Sequence, residues 1–321
     1  MTPAPEVAGD AGLPIGSRDV LPTETAELRV AEERLHAAFR SFGYREVRTP
    51  ALELDAVIDR AEGRGDPAYR LFDDRGQVLT LRPDPTIPVA RLVATRLADE
   101  PDPVRVCYFG TAYRPPTAGR ADEVEVRQAG VELVGAAGPG ADAEVVAVLA
   151  AALRAAGLSG FRIVLGSVAV VAGALEGAGV DVSSREPFLT ALRERDHVAW
   201  RALAAGRGPD DGRRDALIAL PTVRDEGALE DLARRIPEAR SAVEDLTATL
   251  AAVRRHDGAE HAAVDLGVVH GRGYYSGIVI EAYAGGVGAP LASGGRYDGL
   301  AARFGRDRPA AGVAVDVSRL H

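Results

Sequence analysis

Strand-forming segments lie at both ends of this chain and vanish from its middle, so one sheet has to be closed by pieces far apart in sequence. Residues 45–49, 77–81, 104–113, 123–135 and 161–165 are short apolar or alternating runs bounded by turn residues, the pattern of strands. From about 167 to 257 that pattern gives way to Leu189/Leu192, Leu229/Leu232 and Leu246/Leu250/Val253 at helical spacing, with 206–211 (GRGPDD) as a loop. Strand signals return at 262–283 and 312–320. Strands, helices, then strands again predict an α+β fold with an antiparallel sheet, in two parts (1–166 and 259–321) around a helical insertion at 167–258. Further helices are expected at 24–42, with Leu28, Ala31, Leu35, Ala38 or Phe39, and Phe42 on one stripe and Gly43 as its stop, and at 87–97 and 142–156. Residues 1–11 are expected to be a mobile tail.

Two strands share an uncommon face. In 123–135, Gln128, Gly130 and Glu132 point one way and Ala129, Val131 and Leu133 the other. In 262–283 a hinge, His270-Gly271-Arg272-Gly273, separates two apolar runs. Continuing the alternation puts Tyr275, Gly277, Val279 and Glu281 on one side and Tyr274, Ser276, Ile278 and Ile280 on the other. A polar–glycine–polar face on an aliphatic back suits the floor of a small-molecule pocket, because glycine leaves room for a ligand to approach the sheet. A bulge in a half-buried strand is the structural alternative for either segment.

Composition removes several classes of function. All 38 basic residues are arginines, so lysine nucleophiles, Schiff bases and the P-loop lysine are excluded. A single cysteine, Cys107, in an apolar strand excludes internal disulfides and multi-cysteine metal sites, and the histidines lack metal-ligand spacing. Neither a metal nor a cofactor is expected. The net charge of −9 disfavours a surface built for phosphate backbones. The apolar run at 145–153, broken by Arg154, is too short to span a bilayer, and the first residues lack an export signal, so the expected location is the cytoplasm.

Several short strings, in order, carry a resemblance. Pro14-x-Gly16-x-x-Asp19-x-Leu21-Pro22, the helix and strand ending at Pro50, Arg82-Pro83-Asp84-x-Thr86, Gly119-Arg120, Gln128-Ala129-Gly130-Val131-Glu132, Tyr274-Tyr275 and Gly294-Gly295-Arg296-Tyr297-Asp298 resemble the catalytic core of class II histidyl-tRNA synthetases. That resemblance implies the class II synthetase-like sheet for both core parts. The departures matter as much. His270 stands where the synthetases place an arginine that stabilises the activated carboxylate, and Gly273 replaces an aspartate. Arg114 runs into Pro115-Pro116, and the loop gains Asp122 and Glu123. Asp316 occupies a glycine position near Arg319, where a carboxylate would crowd and repel a nucleotide. No anticodon-binding domain is expected after Arg319, and hence no tRNA partner.

These departures resemble one branch in particular, the regulatory subunits of ATP phosphoribosyltransferase. The resemblance implies a non-catalytic chain that assembles with a short-form catalytic subunit for the first step of histidine biosynthesis, with histidine as feedback inhibitor. It also implies a homodimer, within a hetero-oligomer, whose seam is the stripe of the 24–42 helix. By the same resemblance, Asp84, Thr86, Arg114, Gln128, Glu132, Tyr274 and Tyr275 are the candidate histidine-binding residues, with no catalytic residue. Glu132 and Asp84 can accept from an ammonium, and Gln128 and Tyr275 can order a ring or carboxylate. Structural alternatives stand beside these roles: Glu132 paired with an arginine, Tyr274 in the core, Arg82 and Arg120 in surface ion pairs. A stand-alone amino-acid-activating enzyme is the competing function, and a binding module for a tRNA-like or signalling partner is a third.

Overall fold

The computed structural model describes residues 12–62, 67–115, 124–207, 212–256, 261–268 and 273–320. Its N-terminal part runs α1 (Pro22–Ser41), β1 (Arg45–Glu46), β2 (Leu52–Leu54), α2 (Asp55–Glu62), β3 (Arg70–Phe72), β4 (Val78–Leu81) and α3 (Thr86–Arg96). The long strands β5 (Val104–Tyr113) and β6 (Glu125–Val134) follow, then α4 (Gly138–Ala155) and β7 (Phe161–Ser167). Helices α5 (Val168–Gly177), α6 (Glu186–Arg193), α7 (His197–Ala205), α8 (Arg213–Ala219), α9 (Glu226–Arg235) and α10 (Arg240–Val253) occupy the middle. Strands β8 (Ala262–Val264), β9 (Ile278–Ala284), β10 (Ala292–Arg296) and β11 (Ala310–Asp316) close the fold.

Eight strands form one sheet in the order β1-β5-β6-β11-β10-β9-β7-β8. The sheet is mixed, not wholly antiparallel: β1 runs parallel to β5 and β8 parallel to β7, while the pairings between them are antiparallel. The two apolar runs around the 270 hinge are both strands, but β7 lies between them. Regular strand begins only at Ile278, so the alternation extended back to Tyr274 has no pleat to enforce it. Likewise β11 ends at Asp316, and Val317–Leu320 is a 3-10 turn.

One face of the sheet is covered by a large apolar cluster. It joins Cys107, Ala129, Val131 and Leu133 to α1, α4 and the buried sides of α5 to α10. The helices between β7 and β8 therefore share the core of the sheet. Leu35 and Phe39 of α1 are buried there, with Leu28, Ala38 and Phe42 packed against them. The α1 stripe is thus spent on this chain's own core and is not a free seam, which corrects the sequence expectation. Burial of the Cys107 thiol in this cluster pushes its pKa up to about 12, which keeps it protonated and unreactive.

A second, three-stranded sheet has the order β2-β4-β3. Glu53 and Thr80 are paired on its inner face and buried, and Arg91 of α3 grips Glu53 with two hydrogen bonds of 3.1 and 2.5 Å. The registers Leu52↔Leu81, Leu54↔Leu79 and Leu71↔Leu79 put five leucines on the outer face. Leu52, Leu54 and Leu71 remain 44, 45 and 44% exposed. Among the described residues no helix is long and apolar enough to cross a membrane.

Candidate functional site

The face of β5, β6 and β11 turned away from that cluster carries the polar residues singled out above, and a second apolar cluster from α2, α3 and the segments around Tyr274 and Tyr297 packs on it. Register sets Gly110 opposite Gln128, Tyr108 opposite Gly130 and Val106 opposite Glu132. On the other flank of β6, Asp316, Ala314 and Gly312 face the same three positions. Two glycines create the space. A Cβ on Gly130 would overlap the Tyr108 ring, which lies across it, and a Cβ on Gly312 would overlap the Glu132 carboxyl. Glycine at these positions lets side chains from neighbouring strands occupy the sheet surface itself.

Glu132 sits at the centre, 2% exposed. The Tyr297 hydroxyl donates to its Oε2, and the Thr86 hydroxyl also donates to it. Among the described residues no guanidinium or imidazole bonds it. Burial, helped by the negative charge of Asp84, raises its pKa from the ordinary carboxylate range to about 8, against the downward pull of the two hydroxyls. Burial and the Glu132 charge in turn hold the Tyr297 hydroxyl firmly protonated.

Asp84 stands at the head of α3. Its Oδ1 accepts from the Thr86 backbone N–H at 2.8 Å and its Oδ2 from the Tyr274 hydroxyl at 2.5 Å. Tyr274 is therefore buried and, in the same place, a polar member of the site face. Its ring meets Tyr275 at 5.0 Å and Tyr297 edge-on at 5.9 Å. Tyr274 is thus a core residue, as the structural alternative expects, whose hydroxyl also reaches the site through Asp84. Tyr275, half-buried, points to a neighbouring cavity of about 400 Å³ bounded by α5 and α6. Gln128 is buried on the same face, and its Oε1 has no hydrogen-bond partner among the described residues. Arg114 braces the site from outside: its Nε donates to the Pro83 carbonyl at 3.1 Å.

Two arginines read differently in three dimensions. Arg82 is buried, not a surface ion-pair former. Its Nε donates to the Thr111 carbonyl at 2.8 Å and its Nη1 to the carbonyls of Thr49 and Pro50 at 2.9 and 3.2 Å, over Gly110. Arg319 is turned onto Asp316, with Nε 3.0 Å from Oδ2, and onto the Pro290 carbonyl at 2.5 Å. The sequence reading of His270, Gly271, Arg272, Pro116, Gly119, Arg120, Asp122 and Glu123 falls outside the described residues, as does the tail 1–11.

The structure thus brings Asp84, Thr86, Glu132 and Tyr274 together, keeps Gln128 on the same face, and leaves Tyr275 and Arg114 at the rim. Sequence reasoning missed Tyr297 and Tyr108. The hairpin register, counted from the 104–113 and 123–135 strands, would have placed Tyr108 over Gly130. No local signal connects Tyr297 to Glu132. Arg296, next to it, is also structural: it pairs with Asp142 of α4 and with Asp298, tying β10 to α4. Chemically, the face offers carboxyl, amide and hydroxyl groups for a small amine-bearing ligand.

Residues 16–320 match the family model described as histidyl-tRNA synthetase. A protein of Symbiobacterium thermophilum, described as an ATP phosphoribosyltransferase regulatory subunit, is 45% identical over 96% of this chain and 78% of its own length. One of Rubrobacter xylanophilus with the same description is 41% identical over 95% of this chain and 75% of its own length. Among solved structures, one from Bacillus halodurans described as an ATP phosphoribosyltransferase regulatory subunit/histidyl-tRNA synthetase superposes with a TM-score of 0.89 at 31% identity, over 97% of this chain and 82% of that one.

Proposed function

This chain belongs to the family of ATP phosphoribosyltransferase regulatory subunits, built on the histidyl-tRNA synthetase fold, and from that premise we propose that it performs no bond chemistry and acts as a histidine-responsive partner of a short-form catalytic subunit. The observation that carries this reading is an asymmetry within one face. The end around Glu132, Asp84 and Gln128 keeps acceptors suited to the ammonium and ring of free histidine. The other end, where an activating enzyme needs positive charge for triphosphate, holds Asp316, which occupies Arg319. In this reading Asp84, Thr86, Arg114, Gln128, Glu132, Tyr274 and Tyr275 form or frame the histidine pocket. Occupancy inhibits the complex because histidine prefers one conformation of the assembly.

The test is reconstitution with a short-form catalytic subunit. The two proteins are expected to copurify, to make phosphoribosyl-ATP only together, and to be inhibited by histidine, with inhibition lost in Glu132→Ala. Histidine-dependent ATP–pyrophosphate exchange by the isolated chain would overturn the reading in favour of an amino-acid-activating enzyme.

The leucine face of the small sheet supports a homodimer with a seam different from the α1 stripe. An uncharged, self-complementary apolar face suits a two-fold contact in which the same patch serves both copies. Leu54→Asp is expected to convert a sedimenting dimer to monomer. An unchanged dimer that no longer copurifies with the catalytic subunit would assign the face to that partner instead.

A further inference from the structure

Glu132 differs from three other buried acids, Asp142, Glu53 and Asp316. Asp142 faces Arg296 at 2.6 Å, Glu53 faces Arg91 at 2.5 Å and Asp316 faces Arg319 at 3.0 Å. Among the described residues, the side chains that bond Glu132 are hydroxyls, from Tyr297 and Thr86. The titratable groups near it from each packed element are Tyr44 before β1, Tyr108 on β5, Tyr297 after β10, Tyr274 and Tyr275 before β9, and Asp84 at the head of α3, while Asp316 on β11 lies further along, opposite Gln128. Asp316 is engaged by Arg319, burial holds the hydroxyls of Tyr44, Tyr108 and Tyr297 protonated, and Asp84 contributes repulsion. An ionised carboxylate buried with no counter-charge is far less favourable than its neutral acid.

We propose that Glu132 is a neutral acid in the empty chain and releases its proton when a cationic amine seats against it, so that ligand occupancy and loss of one proton are a single event. This rests on the histidine-binding reading above and adds to it a linkage to pH. The Glu132 O–H bond breaks, its proton passes to solvent, and the carboxylate left behind pairs with the ammonium of the ligand. The buried pair is then neutral overall, and the hydroxyls of Tyr297 and Thr86, already oriented as donors, serve the ionised form. Nothing covalent forms between ligand and protein.

Calorimetric titration of the full chain with L-histidine, in buffers of different ionisation enthalpy, reads the number of protons released. About 0.9 proton per histidine is expected at pH 7 and about half a proton at pH 8, with affinity rising almost tenfold per pH unit between pH 6 and 7.5. Glu132→Gln is expected to abolish the release. Should that variant bind too weakly to titrate, carbon-13 spectra of glutamate-labelled chain give the same information. The carboxyl signal absent from the variant should titrate near pH 8 in the free chain and stay ionised at pH 6 with histidine bound. Histidine heat with no proton released, or a free-chain midpoint near 4.5, overturns this inference and leaves the histidine-binding reading standing. Absence of any histidine binding overturns both.

Discussion

Two acids on the polar face of the same sheet, Glu132 on β6 and Asp316 on β11, are both buried, yet they are paired differently. Asp316 lies opposite Gln128, takes Arg319 at 3.0 Å and caps the Ser318 backbone N–H at 3.1 Å. Glu132 lies opposite Gly312 and, among the described residues, takes hydroxyl donors. Burial alone therefore does not mark a binding group, because a carboxylate with its counter-charge inside the chain has no need of an external one. Burial together with a missing counter-charge does. The same distinction separates Arg319, held by an acid, from the free guanidinium that a triphosphate would require.

The largest effect should come from removing Glu132. Glu132→Ala is expected to weaken histidine binding roughly 10- to 100-fold, the range for losing a hydrogen bond to a charged group. Unchanged affinity, measured by calorimetry, breaks the comparison outright. Stability is next. The folded pKa of Glu132 lies above its unfolded value, so the folded chain holds a proton that the unfolded chain gives up as pH rises. Folding stability contributed by this group is full below about pH 4.5 and lost on passing through about pH 8. Glu132→Gln should therefore leave the denaturation midpoint near that of the native chain at pH 4.5 and raise it increasingly towards pH 8. An identical difference at both pH values would count against a buried, unpaired acid.

Smaller effects sharpen the contrast. Tyr297→Phe deletes a donor to the carboxylate and should lower histidine affinity about two- to tenfold while raising the midpoint of Glu132 further. Asp316→Ala should cost about 1 kcal/mol of stability, since its arginine partner is partly exposed, and change histidine affinity less than about twofold. If that variant lost histidine as severely as Glu132→Ala, the two ends of the face would be one site.

The strand face Gln128-Gly130-Glu132 was legible before any coordinates, because a period of two is a property of the backbone and survives any packing. The leucine spacing of the central helices was legible for the same reason. Legibility stopped where regular structure stopped. Tyr274 lies outside β9, so its side could not be read from alternation, and Arg82 gave no hint that three backbone carbonyls and one hydroxyl would enclose it. The α1 stripe was correctly seen as apolar but assigned to another molecule, because a periodic pattern says that a face is buried and not what buries it.

By itself, then, the chain determined its elements, the two-part sheet around a helical middle, and the glycine-spaced polar face, all of which follow from local stereochemistry and side-chain period. Tertiary structure alone decided that Tyr297 would reach Glu132 across 165 positions of sequence, that β7 would separate β8 from β9, and that Asp316 would take an arginine while Glu132 takes, among the described residues, hydroxyls. The reason is physical: counter-charge and desolvation depend on what lies within a few ångströms in space, and sequence order fixes that only for neighbours along the same element.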